Sequence, residues 1–270
     1  MPSHTAVTRY EVRGSSMEKQ RVEIIGVPIS AVNMDSCMEI IFEDLESLKG
    51  KYICVSNVHT TVMAHDDPTY FKVQAESFMS VPDGKPLSVV GRKRYPQMDR
   101  VTGPDLMRRI FEESKDRKIR HYFYGNSKEN LEELIRVLKT ESPWLEICGY
   151  EPSVFRDMTK EEEDELAQRI NATNPDFVWV ALGAPRQELF CNRMENRING
   201  LMVGVGGAFN VLAGIVPEAP RWMQNLSLEW LYRFLQEPRR LFKRYAVTNT
   251  KFIWYLITKK KPKQQGGNKI

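Results

Sequence analysis

Short apolar segments that end in glycine or a small polar residue recur through the first 215 residues of this chain. The clearest is 177–182, which is apolar throughout and is followed by Gly183. Buried strands of parallel sheets have this near-continuous apolar character because helices cover both of their faces. Such strands alternate with helical segments of about 10–14 residues, and this alternation predicts an α/β fold with a doubly wound, mostly parallel sheet.

The predicted elements follow one another along the chain. Strands are predicted at 22–25, 52–55, 78–81, 121–124, 145–148, 177–182 and 201–205. Helices are predicted at 38–48, at 68–75 with Asp67 as N-cap, at 106–111, at 128–139, up to Ile170 after a capping box at Thr159, and at 188–197. The uncharged stretch 198–217 contains five glycines, so it predicts a strand, a glycine turn and a short helix rather than a membrane span.

Five turns of glycine or small polar residues directly follow predicted strands, at 56–57, 81–84, 124–126, 182–185 and 204–207. Ligands of open α/β sheets bind beyond the carboxyl ends of the strands, where backbone N–H groups and helix N-termini bind phosphate. One such turn is equally explained by a tight connection, but five at one edge favour a phosphate-bearing ligand. Candidate binding residues are Gly84, Gly125, Asn126, Gly183, Pro185, Gly204, Gly206 and Gly207.

Several other classes of site are excluded by spacing. Gly204-x-Gly206-x-x-Phe209 lacks the third glycine of a dinucleotide fingerprint, and no P-loop motif is present. Four cysteines without a C-x-x-C pair favour a reduced, cytosolic protein. The histidines show no ligand spacing, so we expect neither a metal site nor a cofactor. No nucleic-acid-reading motif is recognised.

Asp83 is the carboxylate best placed for chemistry. It lies in a Pro-Asp-Gly turn directly after an apolar strand, where an acid can act as a general base. Asp-Gly is also a common turn former. The residues alone leave both interpretations open.

Charge is distributed unevenly. From Arg233 onward eleven basic residues oppose the single acid Glu237, whereas the preceding 232 residues carry six more acids than bases. Aromatic residues interleave with these cations, a combination suited to an anionic membrane surface. We therefore divide the chain into a disordered segment (1–20), an α/β catalytic domain (21–218), a helical membrane-associating appendage (219–258) and a basic disordered tail (259–270). The oligomeric state, including a homo-oligomer, stays open.

Four motifs in this order resemble the WecG/TagA/CpsF glycosyltransferases, glycosyltransferase family 26. They are VPDGKP at 81–86, ALGAPRQE at 181–188, GVGGAFNVLAG at 204–214, and the segment 219–245 that begins APRWMQ. The resemblance implies a Rossmann-like fold and inverting, metal-independent transfer from a UDP-sugar to a polyprenyl-diphosphate-linked acceptor such as GlcNAc. It further implies a peripheral location at the cytoplasmic membrane face, in the synthesis of surface polysaccharide, capsule or teichoic acid.

The resemblance also assigns roles to residues. Asp83 corresponds to the proposed general base, and Asn57 and Gln187 correspond to active-site polar residues. The appendage cations expected to reach the diphosphate are Arg233 and Arg240, with Lys243 or Arg244.

Three departures from the family pattern leave the donor sugar open. Val55 stands where relatives often have Thr, and Glu218 stands where Arg often precedes Ala-Pro. Asn210 stands where Asp is usual, and we include Asn210 among the binding residues. N-acetylmannosamine, its uronic acid and glucose are all candidate donors. The alternative function is a non-catalytic UDP-sugar-binding regulatory or scaffold protein at the membrane, which needs the turns but no base; an NAD enzyme ranks below it.

Overall fold

A six-stranded parallel sheet forms the centre of the computed structural model, which describes residues 20–220, 222–223, 229–236 and 238–262. The sheet strands are β3 (Tyr52–Ser56), β4 (Met79–Pro82), β5 (Arg120–Gly125), β6 (Glu146–Glu151), β7 (Phe177–Ala181) and β8 (Leu201–Gly204). Their order is β4-β3-β8-β7-β5-β6, and every neighbouring pair is parallel. The predicted α/β, Rossmann-like doubly wound fold is therefore confirmed.

Helices cover both faces of this sheet. They are α1 (Met34–Glu43), α2 (Val58–Asp66), α3 (Pro68–Glu76), α4 (Lys85–Arg92), α5 (Gly103–Glu113), α6 (Lys128–Glu141), α7 (Lys160–Ala172), α8 (Arg186–Arg193), α9 (Ala208–Leu212), α10 (Glu229–Gln236) and α11 (Pro238–Thr258), with a 3-10 turn at Leu45–Leu48. On the first face α1, α5, α6 and α9 pack against alternate strand residues such as Val203 and Trp179. On the second face α3, α7 and α8 pack against the residues between them, such as Met202 and Val178.

A third apolar cluster lies beside the sheet. An antiparallel hairpin, β1 (Arg21–Ile24) and β2 (Val27–Ser30), packs there with α2, α3, α4 and α11. The predicted strand at 22–25 thus belongs to this hairpin and not to the central sheet. Adjacent strands β3 and β8 are followed by helices in different clusters, α2 in the third and α9 on the first face. Doubly wound sheets bind ligands at such a switch point.

Two helices were missed from the sequence. In α2 five of the nine residues are buried, including Thr60, Thr61 and His65, so no apolar stripe marks the helix. In α4 the helix begins directly after Gly84 with proline in its first turn, and these residues were interpreted only as a turn. The N-cap at Asp67, the capping box at Thr159 and the strand, turn and short helix within 198–217 are all confirmed.

The chain ends are described only in part. Residues 1–19 and 263–270, on which the predicted disordered segments fall, lie outside the described residues. The predicted boundary at 218 stays a prediction. Among the described residues, no helix has the length and apolar character needed to cross a membrane.

Candidate active site

All five turns predicted to bind a ligand lie at the carboxyl edge of the sheet. Following the strand order from one side, they come after β4 (81–84), β3 (56–57), β8 (204–207), β7 (182–185) and β5 (124–126). Neighbouring strands are about 4.8 Å apart, so the turns form one continuous rim. The topology brings together residues that are up to 150 positions apart in the chain.

Asp83 and Asn57 are neighbours on this rim. The register pairs Ser56 with Pro82, the last residues of β3 and β4. Asn57 directly follows Ser56, and Asp83 directly follows Pro82. The backbone N–H of Asp83 donates to the carbonyl oxygen of Ser56 over 2.7 Å. The backbones of Asp83 and Asn57 are therefore adjacent at this edge of the sheet, and the role of Asp83 as a base stays a prediction.

Asn57 is held by its role as N-cap of α2. Its side-chain oxygen accepts from the backbone N–H groups of His59 at 3.0 Å and Thr60 at 3.2 Å. In return, the Asn57 N–H donates to the Thr60 hydroxyl. This capping box commits the oxygen end of the amide to the helix. The nitrogen end is the one left to donate to a ligand.

The turn after β5 requires glycine. Gly125 has φ +114°, and a Cβ there would lie 2.5 Å from the carbonyl oxygen of Ala181 on β7. Asn126 follows with φ +62°, and its backbone N–H donates to the same oxygen over 2.9 Å. Close approach of the two strand ends thus fixes where the Asn126 side chain begins.

Three asparagines meet behind that turn. The Asn126 side-chain nitrogen donates to the side-chain oxygen of Asn210 over 2.6 Å. The Asn130 side chain bonds to the same oxygen at 3.4 Å and to that of Asn126 at 3.3 Å. Asn130 was not predicted, and its position in the first turn of α6 is the only signal in the sequence. The Asn210 side-chain oxygen thus accepts from two neutral amides.

Gln187 lies beneath the rim. Its side chain is 5% exposed, and its oxygen accepts from the backbone N–H of Gly183 over 3.1 Å. A Cβ at Gly204 would lie 3.3 Å from this side chain, and one at Gly206 would lie 3.0 Å from its oxygen. The two glycines therefore let Gln187 join the turns after β7 and β8.

The outer side of the rim is open. A Cβ at Gly183 or Gly207 would meet no described atom within 4 Å. Gly84 has φ +99°, in the left-handed region that favours glycine, and precedes the first turn of α4. Pro185 follows a cis peptide bond and is the N-cap of α8. Binding of an anionic ligand in this space stays a prediction.

Comparisons with known proteins identify the family of this chain. Residues 22–266 match the model of the Glycosyl transferase WecG/TagA/CpsF family. The chain belongs to this family. It is therefore a glycosyltransferase by descent.

Two relatives carry the same printed name, N-acetylglucosaminyldiphosphoundecaprenol N-acetyl-beta-D-mannosaminyltransferase. One, from Bacillus spizizenii, is 33% identical over 198 residues, covering 73% of this chain and 75% of the relative. The other, from Bacillus subtilis strain 168, is 30% identical over 224 residues, covering 82% of this chain and 86% of the relative. The similarity therefore extends over most of both proteins.

In this WecG/TagA/CpsF chain the C-terminal helix docks onto α2. Phe252 and Tyr255 of α11 are buried in the third cluster, and the Tyr255 ring stacks on His65 with 3.8 Å between centroids. Asp66, the last residue of α2, accepts from Lys251 Nζ at 2.6 Å and from the Tyr255 hydroxyl at 2.7 Å. Partial burial acts to raise the pKa of Asp66, but these hydrogen bonds outweigh it and lower the pKa. Helix α2 thus touches the rim at Asn57 and the appendage at Asp66.

The predicted diphosphate-binding cations lie on helices α10 and α11. Arg233 is in α10, and Arg240, Lys243 and Arg244 are in α11. Their side chains lie outside the described part of the structure, so their roles stay predictions. Elsewhere on α11 several large apolar residues are exposed, including Phe242, Trp254 and Ile257.

Two further observations concern the chemistry of the site. Within the described ranges, no three His, Cys, Asp or Glu side chains are grouped to hold a metal ion. Glu188, which the sequence analysis did not select, is almost fully buried and bonds to Gln187 over 2.9 Å. Its place beside Gln187 in the ALGAPRQE motif was the available signal.

Proposed function

We propose that this protein transfers a sugar, with inversion and without a metal, from a UDP-sugar to a polyprenyl-diphosphate-linked GlcNAc. The observation that carries the proposal is the pairing of Asp83 with Asn57 at the end of a rim of five ligand-binding turns. The names of the two relatives supply the acceptor class. They also make N-acetylmannosamine the first donor sugar to test.

The reaction needs a base and an anion site. The Asp83 carboxylate takes the proton of the acceptor sugar hydroxyl while that oxygen attacks C1 of the donor. The bond from C1 to the diphosphate oxygen breaks on the opposite face, and UDP leaves with the bonding electrons. Backbone N–H groups of the turns after β7 and β8 stabilise the charge on the leaving diphosphate. The predicted appendage cations Arg233, Arg240, Lys243 and Arg244 add to this stabilisation.

The membrane is the proposed location because the acceptor is a lipid. Exposed Trp254 and Ile257 on α11 supply an apolar surface, and the excess of Lys and Arg after residue 232 supplies attraction to anionic headgroups. Docking of α11 on α2 then keeps the appendage next to the rim. We place the protein at the cytoplasmic face, in the assembly of a bacterial surface polymer.

A transfer assay tests the catalytic part. Purified protein is incubated with a panel of UDP-sugars and a short polyprenyl-diphosphate-GlcNAc analogue, with and without EDTA, and products are identified by mass. We expect one UDP-sugar to give a product whose yield EDTA does not change. UDP binding without transfer would contradict catalysis and favour the regulatory or scaffold alternative.

An Asp83→Asn variant tests the base. Loss of a general base lowers turnover by about 100- to 10,000-fold, whereas UDP binding should be retained. Asp116→Asn is the matched control, because Asp116 is exposed and lies before β5, at the opposite end of the sheet. Equal activity of the Asp83 variant and the control would remove Asp83 from the mechanism.

A vesicle assay tests the membrane part. Trp254→Glu with Ile257→Glu should lose sedimentation with anionic phosphatidylglycerol vesicles. Asn249→Glu adds a negative charge at an exposed polar position of the same helix and should keep most of the binding. Identical binding by the double variant and wild type would show that this surface does not contact lipid.

A further inference from the structure

Glu188 is a buried acid without a cationic partner among the described residues. The other acid buried to this degree, Glu163, accepts hydrogen bonds from Arg193 at 2.9 Å and Arg197 at 3.0 Å. Glu188 is 1% exposed and lies in the first turn of α8. Burial of an acid without a cation is costly, so Glu188 needs another explanation than an ion pair.

One carboxylate oxygen of Glu188 orients Gln187. Glu188 Oε1 accepts from the side-chain nitrogen of Gln187 over 2.9 Å. The opposite end of the Gln187 amide accepts from the N–H of Gly183 over 3.1 Å. Since a carboxyl oxygen requires a donor, the nitrogen end must face Glu188 and the oxygen end must face the turn after β7. Glu188 therefore determines which way the Gln187 amide points beneath Gly204 and Gly206.

The other oxygen belongs to a second group of buried atoms. Glu188 Oε2, the Tyr70 hydroxyl and the Gln74 side-chain oxygen are buried without a hydrogen bond of ordinary length, and Tyr70 lies near both other residues. The Tyr70 hydroxyl lies between the Glu188 carboxyl group and the Gln74 amide. The three side chains therefore form one buried polar group.

The same group continues to the base side of the rim. The Gln74 side-chain nitrogen donates to Ser56 Oγ over 2.7 Å, and Ser56 Oγ is 2.7 Å from Ser80 Oγ. Ser56 directly precedes Asn57, and Ser80 lies on β4 three residues before Asp83. A continuous buried polar group therefore links Gln187 at the turns after β7 and β8 to the strand ends that carry the base.

We propose that Glu188 is a positioning residue that holds the Gln187 amide and, through it, the turns at which the donor diphosphate binds. Only the binding and activity measurements that test this role rest on the proposed function. Its structural content, the orientation of Gln187, is independent of what the protein catalyses.

The surroundings of Glu188 make its carboxyl group a weaker acid than usual. Burial raises its pKa to about 7, against weaker lowering effects of the hydrogen bonds that it receives. The titratable groups that face it are Tyr70 of α3, Cys54 of β3 and Cys191 of α8, and burial raises the pKa of each of them as well. No described cation opposes the effect of burial.

Two substitutions separate positioning from packing. Glu188→Leu removes the acceptor for Gln187, and we expect UDP affinity to fall about 10- to 100-fold. Glu188→Gln keeps an acceptor oxygen and supplies donors in place of the carboxyl proton, so it should recover UDP affinity to within about threefold of wild type. Glu163→Gln, a buried carboxylate away from the rim, is the matched control. Circular dichroism of each variant reports whether it is folded.

Rescue by Glu188→Gln is a reading that a packing role would not move, because leucine and glutamine fill similar volumes and only glutamine can accept from Gln187. Wild-type UDP affinity in folded Glu188→Leu, or an equal loss of affinity in Glu188→Gln, would overturn the proposal.

A measurement that needs no activity separates this inference from the proposed function. The side-chain NH₂ signals of Gln187, identified by their loss in Gln187→Glu, should exchange slowly with solvent in wild type and in Glu188→Gln. They should exchange rapidly in Glu188→Leu. If that variant does not fold, the results for wild type and Glu188→Gln still test the proposal. Slow exchange without sugar transfer would sink the proposed function but keep the positioning role; rapid exchange in wild type would sink the positioning role.

Discussion

The two faces of the central sheet bury polar groups in different ways. On the first face, the His121 ring has both nitrogens bonded. Trp179 donates to Nδ1 over 3.2 Å, so Nε2 carries the proton and donates to Ser114 over 3.0 Å, and Ser114 donates to the carbonyl of Ile110. On helices α3 and α8, which cover the second face, Glu188, Tyr70 and Gln74 each keep an atom without a bond of ordinary length.

The difference separates structural from site-related polarity. A fully bonded buried group specifies packing and has no capacity for another partner. Among the described residues, three of the four incompletely bonded side-chain atoms lie on helices α3 and α8, which border the candidate site; the fourth, Arg120 Nε, lies at the start of β5. Four predictions test this contrast, ordered by the expected size of the effect.

Trp179→Ala should cause the largest loss of stability. Trp179 is fully buried and stacks on Phe177 with 5.4 Å between ring centroids, so its removal leaves a large cavity on the first face. We expect the free energy of unfolding to fall by about 3–5 kcal/mol, measured by urea denaturation. Val178→Ala, the next residue and directed to the second face, should cost about 2 kcal/mol. A Trp179 effect no larger than that of Val178 would contradict the assignment.

Glu188 should make the protein less stable as the pH rises. Its pKa is raised from 4.5 to about 7 in the folded state, so between these values only the unfolded chain releases the proton. Stability should therefore fall by about 3 kcal/mol from pH 4.5 to pH 8. Glu188→Gln should lack this decline, as urea denaturation across the pH range will show. Parallel curves for the two proteins would mean that Glu188 is ionised when folded.

His121 should act in the opposite direction. Burial lowers its pKa from 6.5 to about 3, so below pH 6.5 the unfolded chain binds a proton that the folded protein excludes. This group contributes its full stability above pH 6.5 and should lose about 2 kcal/mol by pH 5. His121→Gln removes the titration, and subtracting its unfolding curve from that of wild type isolates the effect. A pH-independent difference would show that His121 is not buried as a neutral ring.

The smallest effects compare one hydrogen-bonding residue on each face. Ser114→Ala leaves the buried His121 N–H without its acceptor and should cost about 1–3 kcal/mol. Gln74→Leu is of similar volume and removes the Gln74 donor to Ser56 Oγ, which keeps Ser80 Oγ as a partner, so it should cost about 1 kcal/mol. Thermal unfolding at pH 7 compares the two variants. A larger cost for Gln74→Leu would reverse the contrast between the faces.

Strands were predictable from local patterns, but their neighbours were not. The apolar run at 177–182 and the glycine after it identify β7 by themselves, since a buried parallel strand needs no alternation. The hairpin β1–β2 was not recognised, because 22–25 reads as one more strand and its pairing with Val27–Ser30 depends on α2 and α11 covering it. Helix α2, buried on most sides, offered no amphipathic period.

The candidate site divides in the same way. The five turns and Asp83 were found from composition and position after strands, and Asn57 and Gln187 from motifs that resemble the family. Asn130 and Glu188 were missed because their significance depends on partners 80 residues away or on atoms that face inward. Neither distance nor burial can be obtained from a single sequence.

The sequence by itself determined the fold class, the turns at the strand ends and the membership of a glycosyltransferase family, because local periodicity, turn residues and ordered motifs encode these features. Only the tertiary structure decided that Asp83 lies beside Asn57, that α2 joins the rim to the appendage at Asp66, and that Glu188 is buried against Gln187. These relations arise when the strands take the order β4-β3-β8-β7-β5-β6. Strand order follows from packing both faces of the sheet at once, a condition on the whole chain that no local segment satisfies alone.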